Sequence, residues 1–251
     1  ESLQSVSQAV TAITDSEIDA KNITSFVDLS SIVPGVTVAK NEGYKTIISI
    51  RGVGNETNQN AIAAPSVAYH MDGVFIASPF SLQTDFIDVQ RIEVLRGPQG
   101  TLFGQNSTGG AINVISNKPT SDDRFSKADI TYGDYGMKQL RSSSNFPISD
   151  NVSTKLSLSA MTREGFTENL ATGQDLDDAH NLSFRTDWMI DVNDTTSLRI
   201  FGQYSSVDRN GAAIRGIDDQ SPGMRKLSQN TISKQELTSS VFAMIFETDL
   251  G

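Results

Sequence analysis

The residues whose types and spacing could form a ligand-binding or catalytic site are concentrated in Arg91–Pro119. This segment holds five glycines and two prolines. Glycine-rich loops bind phosphate when two glycines, separated by four residues, precede Lys and Ser or Thr, because the ammonium and the backbone amides then surround the phosphate oxygens. Gly104 and Gly109 have this separation, but Gly110 and Ala111 occupy the positions of the lysine and the hydroxyl residue. The segment therefore lacks the charge that a nucleotide site needs.

Other arrangements that could support catalysis or bind a metal or nucleotide are also incomplete. The sequence GVGNET begins like a dinucleotide-binding loop, but Thr57 replaces its third glycine. The two histidines, His70 and His180, lie far apart and lack the close spacing of metal ligands. Ser107 has no Gly-x-Ser-x-Gly context that would make it a nucleophile. The sequence thus predicts no enzyme, no cofactor and no metal site.

Composition narrows the remaining classes of protein. The formal net charge is −10, from 20 Lys and Arg against 30 Asp and Glu, and no dense basic patch is present, which argues against nucleic-acid binding. There is no cysteine for disulfides or thiolate metal ligands. No apolar run approaches the roughly 18 residues of a membrane-spanning helix. A membrane β-barrel stays possible, because its strands alternate polar and apolar residues.

The elements that carry these glycines are predicted to form a small mixed α/β unit ending near Pro119. Thr24 is positioned as the N-cap of a short helix that stops at Pro34–Gly35. A second brief helix is predicted for Thr84–Gln90, with Thr84 as its cap. Short β-branched stretches bounded by turn residues predict five strands, at Gly35–Ala39, Lys45–Gly52, Pro65–Ile76, Arg91–Gly97 and Gly110–Ser116.

In the second half of the chain, polar and apolar residues alternate with the period of two that is typical of β-strands. Leu182, Phe184 and Trp188 share one side of such a stretch, whereas Arg185 and Asp187 share the other. One face of the predicted sheet is therefore apolar, and the other carries charge. The pattern predicts about six strands, at 124–133, 136–147, 152–163, 181–191, 195–207 and 233–248.

The links between these strands differ in length. Ile148–Asn151 and Val192–Thr195 are tight turns, whereas Glu164–His180 and 208–232 are long, polar loops. Gly133–Gly136 is a short exception on the long-loop side. Short turns on one rim and long loops on the other are typical of an outer-membrane barrel, although a soluble β-sandwich also alternates. Because open sheet edges cannot lie in lipid, a barrel would need strands beyond these six.

The sequence DVQRIEVLRGPQGTLFGQNSTGGAINVISNKP, preceded by ISIRGVG and VAYHMDGV, resembles the plug domain of TonB-dependent outer-membrane receptors. The resemblance extends from about Leu3 to Pro119, and the sequence from Ser121 resembles the first barrel strands of the same family. It implies an α+β plug domain at 1–119, with a small mixed sheet and short helices. Residues 120–251 would then form antiparallel transmembrane β-barrel strands, about six of a barrel of about 22.

The resemblance also implies roles for individual plug residues. Arg51, Glu93 and Arg96 would form charge pairs within the plug and against the barrel wall; alternatively, they belong to solvated surface pairs that contribute about 0–1 kcal/mol each. Tight folding of the plug, rather than phosphate binding, would explain the turn residues, because glycine permits positive φ and close backbone approach. These turn residues are Gly97, Pro98, Gly100, Gly104, Gly109 and Gly110.

By the same resemblance, substrate would meet the outward apices of the plug, in the loops Gly54–Ala64 and Phe75–Gln83. Amide side chains there could hydrogen-bond a solute, and an aromatic ring could stack on it. The alternative is that they are ordinary exposed loop residues. The candidates are Asn55, Asn58, Gln59, Asn60 and Phe80.

The function that the resemblance implies is active uptake of a scarce solute: a ferric siderophore or similar chelate, haem, cobalamin or a glycan. The expected location is the outer membrane of a Gram-negative bacterium, with the plug in the barrel lumen and the N-terminus in the periplasm. The expected partners are the TonB–ExbB–ExbD energising complex, membrane lipid and lipopolysaccharide, and remaining barrel strands from the rest of the chain or a second polypeptide. The family's TonB box and signal peptide are not recognised in this sequence, and the resemblance leaves their location open.

Three alternatives remain open from the sequence. The chain could be a structural or signalling subunit of an outer-membrane assembly, or one half of a split receptor. It could also be a soluble, β-rich binding protein that is periplasmic or secreted.

Overall fold

The computed structural model describes residues 10–41, 45–54 and 65–249. The chain divides into two compact units, 1–117 and 118–251, whereas the sequence predicts a division after Pro119. The first unit combines a mixed sheet with short helices, and the long strands of the second unit are antiparallel, as the sequence predicts. No helix in the described ranges is long and apolar enough to cross a membrane.

The first unit contains seven described strands: β1 (Val10–Thr14), β2 (Val36–Asn41), β3 (Lys45–Ile50), β4 (Val67–Met71), β5 (Val74–Phe75), β6 (Val89–Arg96) and β7 (Gly110–Ser116). Five form a sheet in the order β1-β6-β7-β4-β5, in which β4 and β7 run parallel and the other neighbours antiparallel. β2 and β3 form a separate hairpin. The helical elements are α1 (Asp15–Ala20), α2 (Leu29–Ile32), α3 (Gly100–Phe103) and 3₁₀ turns at Phe26–Asp28 and Pro79–Gln83.

The core of the first unit follows from the alternation along its strands. Ile92 and Val94, which alternate in β6, are fully buried, because residues two apart share one face of a strand. Phe26 covers this core and packs edge-on against Tyr69 and Phe86, with 4.7 Å between the ring centroids in both pairs. The first unit is therefore packed like an ordinary globular domain, with its apolar side chains inside.

The two helix predictions for this unit need correction. The N-cap of the first helical segment is Ser25 and not Thr24, because the 3₁₀ turn begins at Phe26. The Asp28 carboxylate accepts the backbone N–H of Ser25 at 2.8 Å and also that of Thr24 at 2.9 Å. The predicted helix at Thr84–Gln90 is absent. The chain is helical before it, in the 3₁₀ turn that ends at Gln83, and Asp88 at φ 49° turns the backbone into β6.

One predicted strand is divided in the structure, and three elements were not predicted. The segment Pro65–Ile76 is not one strand, because a turn at Asp72 and Gly73, both at positive φ, separates β4 from β5. Sequence reasoning did not predict β1, α1 or α3. Thr14 and Glu17 form a capping box at the start of α1, so the pattern Thr-x-x-Glu was a usable signal for that helix.

Two glycines of the predicted turn motif lie where another backbone passes closely. A Cβ atom on Gly110 would overlap the carbonyl oxygen of Leu95 and lie 2.9 Å from Cδ1 of Ile50, and its φ is 144°. A Cβ on Gly109 would lie 2.9 Å from the carbonyl oxygen of Val53. Glycine allows the start of β7 to pack directly against β6 and the end of the β2–β3 hairpin. Close packing of backbone is thus a sufficient physical reason for these two residues.

His70 is a buried polar side chain in the same sheet. It is 6% exposed, and its ring lies 4.9 Å from that of Phe103 and 5.5 Å from that of Phe75. Its Nδ1 atom has no hydrogen-bond partner in the described structure. Burial lowers the pKa of His70 below its ordinary value of 6.5, because the imidazolium would lose its hydration in this apolar setting.

The second unit contains nine described strands: β8 (Phe125–Gly133), β9 (Met137–Ser149), β10 (Val152–Arg163), β11 (Thr167–Asn169), β12 (Gln174–Leu176), β13 (Ala179–Asn193), β14 (Thr196–Asn210), β15 (Lys226–Leu227) and β16 (Lys234–Thr248). The six long strands form an antiparallel sheet in the order β16-β14-β13-β10-β9-β8, which confirms the six predicted strands. The three short strands lie in the two long links and form a separate sheet, β12-β11-β15. The sequence did not predict that these loops pair with each other.

We expect Gly110→Ala to destabilise the first unit by more than about 2 kcal/mol, because the added methyl group overlaps backbone at a φ that L-residues avoid. Hydrogen exchange of the β6 and β7 amides in the intact protein measures this loss. Gly100→Ala is the matched control, because no heavy atom lies within 4 Å of its added Cβ; its effect should stay within about 0.5 kcal/mol. Equal protection in both variants would contradict the packing argument.

We expect the stability of the first unit to fall as the pH drops below about 6.5. With the His70 pKa lowered in the folded state, the unfolded state binds more protons in this range, so the free energy of unfolding rises with pH. His70→Leu should flatten this dependence, measured as the pH profile of amide exchange in β4 and β7. His180→Gln is the control, because that side chain is half exposed and lies in the second unit. A profile unchanged by His70→Leu would refute the assignment.

Candidate functional site

The six-stranded sheet of the second unit has an inverted distribution of polarity. In β10, the side chains of Ser153, Ser157 and Ser159 are at most 3% exposed, whereas Leu156 between them is 39% exposed. In β13, Arg185 is 3% exposed. A water-soluble sheet normally shows the opposite arrangement. The predicted separation into an apolar face and a charged face is therefore present, and the charged face is the buried one.

The apolar face of this sheet is exposed on all six of its strands. Large apolar side chains with more than a third of their surface exposed occur on all six long strands. They include Ile130, Tyr132, Leu140, Ile148, Leu156, Leu182, Phe184, Trp188, Val192, Tyr204, Phe242, Met244 and Phe246. A continuous apolar surface of this kind marks contact with another apolar phase or partner, because isolated exposed residues would not align along neighbouring strands.

An ion cluster lies on the buried face. The Asp187 carboxylate accepts hydrogen bonds from Arg185 Nη2 at 2.9 Å and from Arg199 Nη2 and Nε at 2.6 and 2.9 Å. The three side chains are at most 5% exposed. The Arg185 guanidinium also stacks on the Phe201 ring, 4.1 Å from its centroid. The sequence predicts that Arg185 and Asp187 share one face of their strand. It does not predict the ion pair between Asp187 and Arg199, because only the β13–β14 register brings Arg199 next to Asp187.

The long links form an ordered structure at one rim of the sheet. Asn169 is fully buried and accepts the N–H of Gln229, while its own amide donates to the Gln229 carbonyl at 2.9 Å. In the loop before β15, Arg215 donates to the carbonyls of Gly223 and Ser221. Hydrogen bonds to serine and backbone N–H groups lower the pKa of Asp219 in the same loop. These links are therefore held by specific polar contacts.

The predicted charge residues of the first unit take separate partners. Glu93 accepts a hydrogen bond from Arg91 Nε at 2.7 Å and another from Asn113 Nδ2 at 3.2 Å. Arg96 Nη2 donates to Thr11 Oγ1 at 2.6 Å and so ties β6 to β1. Arg51 is exposed, with φ 53°. The structure therefore does not bring Arg51, Glu93 and Arg96 together as one group, and their predicted role towards the barrel wall stays a prediction.

The predicted turn residues occupy the connection between β6 and β7. Gly97 and Gly104 have φ of 89° and 69°, which glycine adopts readily. Gly100 begins α3 after Pro98, and Gly109 and Gly110 lead into β7. The segment with the phosphate-loop glycine spacing, Gly104–Ala111, therefore leads into the strand β7. A phosphate-binding loop would lead into a helix N-terminus at this position.

The predicted substrate residues are not placed by the structure. Asn55, Asn58, Gln59 and Asn60 lie outside the described residues. Phe80 lies in the 3₁₀ turn at Pro79–Gln83, and its side chain is also outside what the structure describes. No group of three or more His, Cys, Asp or Glu side chains that could hold a metal ion occurs among the described residues.

Comparison with known proteins identifies the first unit. Residues 2–111 match the family model of the TonB-dependent Receptor Plug Domain. The pesticin receptors of Yersinia enterocolitica and Yersinia pestis are each 32% identical to the chain over 170 residues. The match covers 66% of this chain and 24% of each receptor, so the chain spans about a quarter of the length of these curated relatives.

Solved structures match both units in fold. The ferric yersiniabactin uptake receptor of Yersinia pestis is 23% identical, with a TM-score of 0.78 over 95% of this chain and 38% of the receptor. The ferripyoverdine receptor of the outer membrane of Pseudomonas aeruginosa is 18% identical, with a TM-score of 0.76 over 99% of this chain and 33% of that receptor. The plug match and the inverted polarity of the strands agree with these likenesses. Residues 2–111 thus belong to the TonB-dependent receptor plug domain family, and the antiparallel strands that follow have the fold of the barrel in these receptor structures.

Proposed function

We propose that this chain gates and lines a receptor that takes up a ferric siderophore, or a similar metal chelate, across the outer membrane of a Gram-negative bacterium. The observation that carries the proposal is the combination, in one chain, of a plug domain with strands whose apolar side chains are exposed and whose polar side chains are buried. Structures with the same fold include receptors for ferric yersiniabactin and ferripyoverdine. Haem, cobalamin and glycans are the solutes to be tested beside iron chelates.

The exposed apolar face of the six long strands is, in this proposal, the surface that contacts lipid. Strands that cross a membrane have an apolar outer face and a polar face towards the lumen. The side chains of Phe242, Met244 and Phe246 alternate along β16 and are 72%, 62% and 64% exposed. Burying such a surface in hydrocarbon stabilises it by roughly 25 cal/mol per Å².

The plug in this proposal opens when the TonB–ExbB–ExbD complex pulls on the segment that precedes β1. β1 is an edge strand of the five-stranded sheet, paired on one side with β6. Its contacts include the register from Val10 with Leu95 to Thr14 with Arg91 and the hydrogen bond from Arg96 to Thr11. An edge strand detaches with the loss of the backbone hydrogen bonds to one neighbour only. The pull therefore acts first on β1, while β6 and β7 stay paired with each other.

Asn55, Asn58, Gln59, Asn60 and Phe80 are retained in this proposal as candidate contacts to the solute at the outward apices of the plug. Their residue types can hydrogen-bond or stack on an iron chelate.

Uptake measured in cells tests the function. Iron-limited cells that lack the gene receive the intact receptor and are supplied with radioactive iron in a panel of siderophores, with haem, with labelled cobalamin and with labelled glycans. We expect saturable uptake of one iron chelate that a protonophore abolishes, because the energising complex depends on the proton gradient. Normal uptake of every solute by the cells without the gene would refute the transport function and favour a structural or signalling role.

Substitution on the proposed lipid face tests the membrane assignment. Phe242 lies near the middle of β16, so Phe242→Arg should cost about 2–4 kcal/mol in the membrane and lower the amount of heat-modifiable, folded receptor in outer-membrane fractions. Thr238→Arg is the control, because Thr238 shares the face of Phe242 but lies closer to the long-loop rim, where a charge costs about 0–1 kcal/mol. Equal amounts of both folded variants would argue against a lipid-facing Phe242.

A further inference from the structure

Four side chains of the second unit form a cation–π cluster at the rim that carries the long links: Tyr135, Arg163, Phe166 and Arg225, here called the rim cluster. Tyr135 lies in the turn between β8 and β9, and Arg163 is the last residue of β10. Phe166 lies between β10 and β11, and Arg225 directly precedes β15. Residues from four separate segments thus converge on one point.

The geometry of the rim cluster places two guanidinium groups on one aromatic ring. The Cζ atoms of Arg163 and Arg225 lie 5.1 and 4.7 Å from the centroid of Phe166. Arg225 Cζ lies also 5.1 Å from the Tyr135 centroid, and the two aromatic rings are 5.1 Å apart. The ring faces attract the cations, but the two like charges repel each other. An anion bound at this rim would offset part of this repulsion.

The hydrogen-bond donors of the rim cluster are largely unused. Arg225 is exposed, and its guanidinium makes no hydrogen bond or ion pair within the described part of the chain. Arg163 donates from Nη2 to the Asp177 carbonyl at 2.8 Å, but its buried Nε–H has no partner. Guanidinium N–H groups recognise carboxylate, phosphate or phenolate oxygens through charge-assisted hydrogen bonds. The unused donors and the two charges together point to an anionic ligand.

The backbone around the rim cluster is fixed before any ligand arrives. The Arg225 carbonyl accepts the N–H of Glu168 at 2.9 Å, and the Tyr135 carbonyl accepts the N–H of Glu164 at 2.9 Å. The Glu168 carboxylate is engaged by Lys226 at 2.8 Å and so has a cationic partner of its own. Fixed groups lose little conformational entropy on binding, which favours recognition at this position.

The strand register distinguishes a solute from a lipid headgroup as the source of the anion. Arg163 is an even number of residues from Ser157 and Ser159 in β10, and so shares their polar, buried face. Leu156, on the opposite face, belongs to the exposed apolar surface. Arg163 therefore places the rim cluster on the polar face of the sheet, which in the proposed function faces the solute. It does not lie on the apolar face that is assigned to lipid.

We propose that the rim cluster binds an anionic group of the transported solute and selects ferric chelates of net negative charge, with Arg225 and Arg163 as the recognition residues. This inference rests on the proposed uptake function and narrows its substrate class. A ligand with phenolate or carboxylate oxygens presents the planar acceptor edge that a guanidinium fork pairs with, while Phe166 and Tyr135 hold the fork in place.

Binding measurements on the intact receptor test the rim cluster. Arg225→Gln and Arg163→Gln are compared with the wild type and with Arg225→Lys, which keeps the charge but not the planar fork. The control is Arg124→Gln, because Arg124 Cζ also lies 5.1 Å from an aromatic centroid, that of Phe146, but directly precedes β8 at the short-turn rim. The probes are a net-negative ferric catecholate and a net-neutral ferric hydroxamate, each labelled with radioactive iron. Binding is measured in phosphatidylcholine vesicles prepared without and with lipopolysaccharide.

We expect Arg225→Gln to weaken binding of the catecholate chelate by about tenfold or more, the loss typical of a charge-assisted hydrogen bond, with a smaller loss for Arg225→Lys. Arg124→Gln should bind like the wild type, and the affinity of the wild type should fall with rising salt more steeply than that of Arg225→Gln. Heat-modifiability confirms that each variant is folded before it is scored.

Two results would overturn the inference. Unchanged catecholate affinity in folded Arg225→Gln, with binding by the wild type intact, shows that the rim cluster does not recognise the solute. A difference between variants that appears only when lipopolysaccharide is present assigns the anion to lipid phosphate and also overturns it. Failure of the wild type to bind any chelate would instead contradict the proposed uptake function.

Discussion

Cross-strand backbone pairing is the interaction on which the second unit depends. β14 pairs with β16 from Asn210 with Lys234 to Thr196 with Thr248, so these two strands are bonded along their whole lengths. A backbone amide without a partner costs several kcal/mol in hydrocarbon, where no water can replace the lost bond. Once every backbone group of the interior strands is paired within the sheet, the side chains are free to follow a polarity opposite to that of a soluble protein.

Buried charge is stable in this sheet because it is arranged as a connected group. Taking Arg185, Asp187 and Arg199 out of water costs several kcal/mol per ion, and that penalty is offset only where geometry and partners are good. Asp187 receives three short hydrogen bonds, and Phe201 covers the guanidinium of Arg185. The same combination of a guanidinium with an aromatic ring recurs at the rim, where Arg225 keeps unused donors and an exposed position.

The two units of the chain follow opposite rules of burial. The first unit encloses Phe26, Ile92 and Ile112 in an ordinary apolar core, whereas the second exposes Phe242 and Phe246 and buries serine and arginine. This contrast accounts for the two signals in the sequence. Glycines that permit close backbone packing mark the first unit, and strict alternation marks the second.

The sequence by itself determined the α+β first unit, the six long strands and the separation of the second sheet into an apolar and a charged face. These features depend on local patterns, namely turn residues and a period of two, which the chain carries wherever it folds. Tertiary structure alone decided that β1 joins the sheet beside β6, that the two long links pair through β11 and β15, and that Arg199 reaches Asp187. Those contacts join residues distant in the sequence, and their register is set by packing and backbone pairing, which no local pattern encodes.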